Sequence, residues 1–123
     1  MTEPAPGAGS DPSMLRPTPT RVDARWVING RKWFITGADG AEFAICMART
    51  DQQISAGRGA TMFLVDAGNP GWQVERTIDT IDRSFPGGHA EVIFEDCVVD
   101  DDAVLGAVGE GYRMRRCAWR PHG

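Results

Sequence analysis

The strongest constraint on the fold is a rhythm. Runs of β-branched and aromatic residues recur at roughly 12–20 residue intervals, each closed off by Gly, Pro or Asn. "EFAICMART" has little alternation and predicts a strand buried on nearly both faces. "GRGATMFLVDAG" is a second strand, bounded by glycines, and "HAEVIFEDCVV" is the last. "GWQVERTIDTI" alternates, with Trp72, Val74, Arg76 and Ile78 on one face and Gln73, Glu75 and Thr77 on the other. "RWVINGRKWFITG" sets Asn29-Gly30 between two such runs. Asn-Gly favours the positive φ angles of a tight turn, so this stretch predicts a hairpin. No segment before residue 103 has helical period. The middle of the chain therefore reads as an all-β sandwich or barrel, spanning 21–103.

The flanks differ. Residues 1–20 are rich in Pro, Gly, Ser and Thr, lack periodicity, and read as loop. Residues 104–123 read as a linker and the start of a helix. The 123 residues suffice for one domain. A net charge of −4 weighs against nucleic acid, which rewards clustered Lys and Arg. Only "RMRRCAWR" is basic. Cys46, Cys97 and Cys117 are odd in number and lack CxxC spacing, as expected of reduced thiols that pack as small hydrophobes. There is no apolar run of membrane-spanning length and no basic-then-apolar leader, so the expected location is the cytoplasm.

Few residues are arranged for chemistry on their own. His89 and His122 have no partner at ligand spacing, so no metal site is expected. Ser10 with His89 could be imagined in a triad, but no G-x-S-x-G elbow is present. "GAVGEG" lacks the G-x-G-x-x-G order and a surrounding βαβ unit, and reads as loop. "KWFITG" is more suggestive. In a strand Phe34 and Thr36 share a face, and a stacking ring beside a hydroxyl suits a planar heteroaromatic ligand. The plainer alternative makes Trp33 or Phe34 core and Thr36 solvated.

Taken in order, "MTEP…GAGSD", "WVINGRKWFITGA", "MARTD", "GATMFLVD", "PGW.VER", "HAEVIFEDCVV" and "VLGAVGEGYR" resemble the middle β-domain of the acyl-CoA dehydrogenase family. The resemblance covers about residues 1–113, and is greatest to the large, mostly bacterial branch related to acyl-CoA dehydrogenases 10 and 11. It implies a β-barrel between two helical domains, packed against the isoalloxazine ring of FAD. Met1, Thr2 and Gly9 would line the flavin, with Thr2 on the ring edge, and Ser10 would contact acyl-CoA. Phe34 stands where the family usually has a flavin-covering Trp, Ile35 beside it is likewise expected to contact the cofactor, and Thr36 stands where a Thr bonds near flavin N5. Phe keeps the stacking face and loses the indole donor.

The implied reaction is α,β-dehydrogenation of an acyl-CoA thioester, with hydride passing to FAD. The resemblance further implies homo-oligomers and a flavoprotein electron acceptor. Its catalytic base belongs to a C-terminal helical domain, so residues 1–123 alone are expected to be an inactive fragment. A different reading makes the chain a non-catalytic β-domain that binds acyl-CoA or a protein. Two departures stand out. Asp100 replaces the family's Pro, and "MRRCAWRPHG" replaces its long amphipathic helix. One choice of codons for Arg113–His122, read a base earlier, encodes the family-like Tyr-Ala-Gln-Val-Arg-Leu-Ala-Pro, so a frameshift is expected there.

Overall fold

The computed structural model describes residues 18–54, 58–81 and 86–118. Met1, Thr2, Gly9, Ser10 and His122 lie outside them. Among the described residues, seven strands and one α-helix follow in order: β1 (Thr20–Val22), β2 (Arg25–Thr36), β3 (Phe43–Arg49), β4 (Ala60–Asp66), β5 (Trp72–Ile78), β6 (His89–Asp100), β7 (Val104–Leu105) and α1 (Gly111–Ala118). They form two antiparallel sheets, ordered β1-β2-β6-β5 and β3-β4-β7. The mainly β architecture expected from the strand rhythm is the one observed. Among the described residues no helix is long and apolar enough to cross a membrane.

The sheets face each other across one core. Trp26, Ile28 and Ile35 of β2 and Ala90, Val92, Phe94, Cys97 and Val99 of β6 meet Ala44, Cys46 and Ala48 of β3 and Phe63 and Val65 of β4. Trp26 and Phe63 meet edge to face, ring centroids 5.4 Å apart. Lys32 is fully buried and crosses the gap, its Nζ donating to the Met47 carbonyl at 2.8 Å. A charge so deep is tolerated only when its donors find acceptors. The back of β3 and β4 is covered in turn. Met47, Ala60 and Met62 pack there with Ile45, Leu105 and Tyr112 of α1. That is why "FAICMAR" lacks alternation: both of its faces are covered. Arg113, Arg115 and Arg116 do not prevent α1 from starting, since arginine is a good helix former.

Cys46 and Cys97 are core, as expected, and burial, with Cys46 beside it, pushes the Cys97 thiol up to about 11. Cys117 is exposed instead.

Two local expectations are corrected. "RWVINGRKWFIT" is not a hairpin but one continuous strand laid along β6. The tight turn is Asp23-Ala24, which joins β1 to β2 and sets Asp23 at φ 55°. Asn29-Gly30 instead marks a β-bulge. Asn29 alone faces Glu95 and Asp96, and the backbone resumes pairing at Gly30–Phe94. The second correction concerns β5. Val74 pairs with Val92 but Arg76 with Glu91, so Glu75 is an extra residue and the alternation breaks there. Arg76 consequently stands on the outer face with Glu91, not with Trp72 and Val74. As β5 is an edge strand, even Val74 remains partly exposed.

Candidate functional site

The outer face of β2 and β6 gathers the residues that "KWFITG" singled out. Lys32 pairs with Val92 and Ile35 with Ala90, so Trp33 and Phe34 together oppose Glu91. This bulge puts one residue too many into β2. Alternation continued from the buried Lys32 would send Phe34 inward; instead Lys32 and Ile35 are buried while Trp33, Phe34 and Thr36 are all exposed. Neither adjacent aromatic is core. Phe34 and Thr36 share a face by plain alternation, and the bulge makes that face the outer one. Ile35 between them turns into the core.

The bulge has a cost. Phe34 sits at φ 54°, in the left-handed region that bulky side chains avoid. Such strain persists only where the surroundings over-determine it, and it clusters at functional sites. The Phe34 ring stands edge-on to Trp33, at 87° with centroids 6.2 Å apart, and half of the residue's surface stays open.

Glu91 is what the bulge rests on. It is only 3% exposed, near the start of β6. Its Oε1 accepts from the Trp33 indole N–H and from Arg31 Nη1, each at 2.8 Å. Its Oε2 accepts from Arg76 Nε, also at 2.8 Å. The indole donor chiefly, with the two arginines, holds the carboxyl below the ordinary glutamate range, against the opposing pull of desolvation. At the end of the same strand pair, Thr36 faces His89 in register, its Oγ1 at 2.9 Å from Nδ1. His89, unpartnered in the sequence reading, thus has a hydroxyl to share a proton with. The adjoining turn is pinned by the Gly37 N–H donating to the Gly88 carbonyl at 3.1 Å.

The patch is therefore an exposed ring, a hydroxyl backed by an imidazole, and a buried carboxylate beneath. It suits a flat ligand that needs a stacking face and a hydrogen bond at its edge. A separate surface depression of about 840 Å³ lies elsewhere, between Val22–Arg25 and the Val98 and Asp100–Asp102 segment. It is open, edged with carboxylates, and has no ring to stack on.

The model of the acyl-CoA dehydrogenase middle domain matches residues 1–97. The chain belongs to the acyl-CoA dehydrogenase family. Acyl-CoA dehydrogenase FadE34 of Mycobacterium tuberculosis is 36% identical over 111 residues, which cover 90% of this chain and 15% of that protein. The (R)-benzylsuccinyl-CoA dehydrogenase of Thauera aromatica is 41% identical over 108 residues, 87% of this chain and 26% of that one. The crystal structure of an FAD-dependent dehydrogenase superposes with a TM-score of 0.87 at 29% identity, over 95% of this chain and 31% of that one. The chain thus spans between about a seventh and a third of the length of these relatives. Sequence reasoning singled out Phe34 and Thr36 and passed over Glu91, Arg31 and Arg76, which the structure gathers beside them. The one local hint was an acid set between Ala90 and Val92 at the start of an apolar run; its donors come from other strands.

Proposed function

We propose that this chain is the flavin-facing middle domain of an acyl-CoA dehydrogenase, with Phe34 against the isoalloxazine ring and Thr36 at its edge. The observation that carries the reading is the left-handed bulge, which turns Phe34 and Thr36 outward on one face. That strain has no packing benefit within the domain, whose core is complete without either side chain. Bound FAD would supply a hydride acceptor for an acyl-CoA thioester. The chain's own part is to cover one face of the ring, to offer the Thr36 hydroxyl, and to keep water from the covered face. Met1, Thr2 and Gly9 are proposed to extend the flavin contact and Ser10 to meet acyl-CoA. An electron-accepting flavoprotein is the proposed partner, and a homo-oligomer the proposed assembly.

Abstraction of the α-proton needs a carboxylate raised toward neutral pH in a dry site. Glu91, the carboxylate of this patch, is lowered and committed to three donors. The base is therefore proposed to come from outside the described residues, and residues 1–123 are proposed to be inactive alone. The purified chain, with FAD, an acyl-CoA series and a dye acceptor, is expected to bind flavin without reducing the dye. Turnover would overturn the inactivity. Unchanged flavin binding in both Phe34→Ala and Thr36→Val would overturn the site, and would favour a scaffold that binds a protein or acyl-CoA.

A further inference from the structure

We infer that Glu91 is a positioning residue that, through Trp33, sets the direction of the Phe34 ring. The inference rests on the flavin reading only for what that ring meets; the positioning itself is a property of this chain.

Two bulges converge on Glu91. On one side β2 carries the extra residue at Trp33-Phe34, and on the other β5 carries it at Glu75. Each delivers a donor to the same carboxylate, Trp33 from the first and Arg76 from the second, while Arg31 closes the third direction. Stability alone is a poor reason for such a group. Between Ala90 and Val92, a buried carboxylate with its partners gives little over a well-packed apolar side chain. What an apolar residue could not do is hold the indole N–H at one point. A charge-assisted bond is short and directional, so it fixes the plane of the Trp33 ring. Phe34 then meets that plane edge-on. Its left-handed backbone would otherwise relax to an extended one and swing the ring away. The chain of constraint runs from carboxylate to indole to phenyl. The indole N–H first, and then the two arginines, favour the charged carboxylate, and so keep it an acceptor on both oxygens.

The test uses the full chain and three variants: Glu91→Ala, Glu91→Gln and Trp33→Phe. The structural readout needs no ligand. It is the Phe34 amide-to-Hα coupling and ring chemical shifts by NMR, with amide dispersion as the check on folding. Glu91→Gln keeps an oxygen acceptor and is expected to retain the Phe34 signals. Trp33→Phe leaves the Glu91–arginine pairs intact and removes only the donor; it is expected to move those signals while the remaining amides stay put. Glu91→Ala is expected to do the same. Should it fail to fold, Trp33→Phe decides. Phe34 signals unchanged in Trp33→Phe would overturn the inference. So would displacement in Glu91→Gln as large as in Trp33→Phe. FAD titration followed by flavin fluorescence separates the two readings. Both displaced variants are expected to bind roughly tenfold more weakly, the loss of about one hydrogen bond's worth of order, with Glu91→Gln near the unsubstituted chain. Displaced Phe34 signals with FAD binding undetectable in the unsubstituted chain would leave the positioning intact and sink the flavin reading.

Discussion

Strands β2 and β6 are interrupted twice, and the two interruptions are built from opposite materials. In the first, Asn29 alone opposes Glu95 and Asp96, and Asp96 takes the left-handed backbone at φ 44°. In the second, Glu91 alone opposes Trp33 and Phe34, and Phe34 takes it at φ 54°. Each time, the single residue ties the bulge with its side chain. Asn29 Oδ1 accepts from the Asp96 N–H at 2.7 Å, and Glu91 accepts from the Trp33 indole. Asp visits the left-handed region at little cost because its short side chain bonds locally. Phe has no such compensation. The first bulge follows local preference and lies in exposed polar surface. The second defies it, and presents an aromatic ring to the outside. Strain without local relief is what marks a position kept for something other than folding.

The largest expected effect breaks the first bulge from behind. Gly71 packs against it so closely that an added Cβ would lie 2.3 Å from Cys97 Cα and 2.7 Å from the Glu95 carbonyl. Those are backbone atoms and cannot step aside. Gly71→Ala is expected to cost about 3 kcal/mol or more in urea unfolding, from overpacking. Loss of under ~1 kcal/mol would mean that β6 is softer here than its pairing implies.

Breaking the second bulge should cost less in stability. Glu91→Ala is expected to lose about 2 kcal/mol, because Arg31 and Arg76 are half exposed and can turn to water while the indole is left without its acceptor. The effect should depend on pH. The folded-state carboxyl titrates below its unfolded value, so its contribution is complete above the ordinary glutamate range. It is lost as pH falls through the lowered folded value. The stability gap between the unsubstituted chain and Glu91→Gln should therefore close on going from pH 7 to below about pH 4. A gap that widens with acid would reverse the sign of the proposed coupling.

Asn29→Ala removes both side-chain bonds to Asp96 in an exposed setting, and about 1 kcal/mol is expected. Smallest of all should be Phe34→Gly. Glycine relieves a left-handed cost of roughly 1–2 kcal/mol, and the lost edge-to-face contact is worth about 0.5–1.5 kcal/mol. Thermal unfolding is thus expected to shift by only a few degrees in either direction. A large destabilisation would show that Phe34 serves folding after all, and would erase the contrast between the bulges.

The strands were legible because their periods are written in residue type, and the two-sided burial of β3 showed in its missing alternation. Bulges are not written that way. Asn29-Gly30 carries the chemistry of a left-handed turn, and a bulge uses the same chemistry as a hairpin; what separates them is the partner strand, many residues away. The face of Arg76 was misread for the same reason, since the slip at Glu75 appears only against β6. Phe34 and Thr36 could be found because ring and hydroxyl lie two apart. Glu91 could not, because its meaning comes from donors on both neighbouring strands. The pairing of Thr36 with His89 likewise exists only in register.

That distance has a consequence in time. Trp33 and Glu91 are separated by 58 residues. At a synthesis rate of roughly 5–20 residues per second, the indole emerges some 3–12 seconds before its acceptor. Until β6 arrives, nothing holds Phe34 left-handed, and a nascent β2 is an ordinary extended segment with two greasy rings. The outward-facing patch can then form only in the closing step of the sheet. A chain that has made it has also joined β2 and β5 to β6, so a single local geometry reports the closure of that sheet.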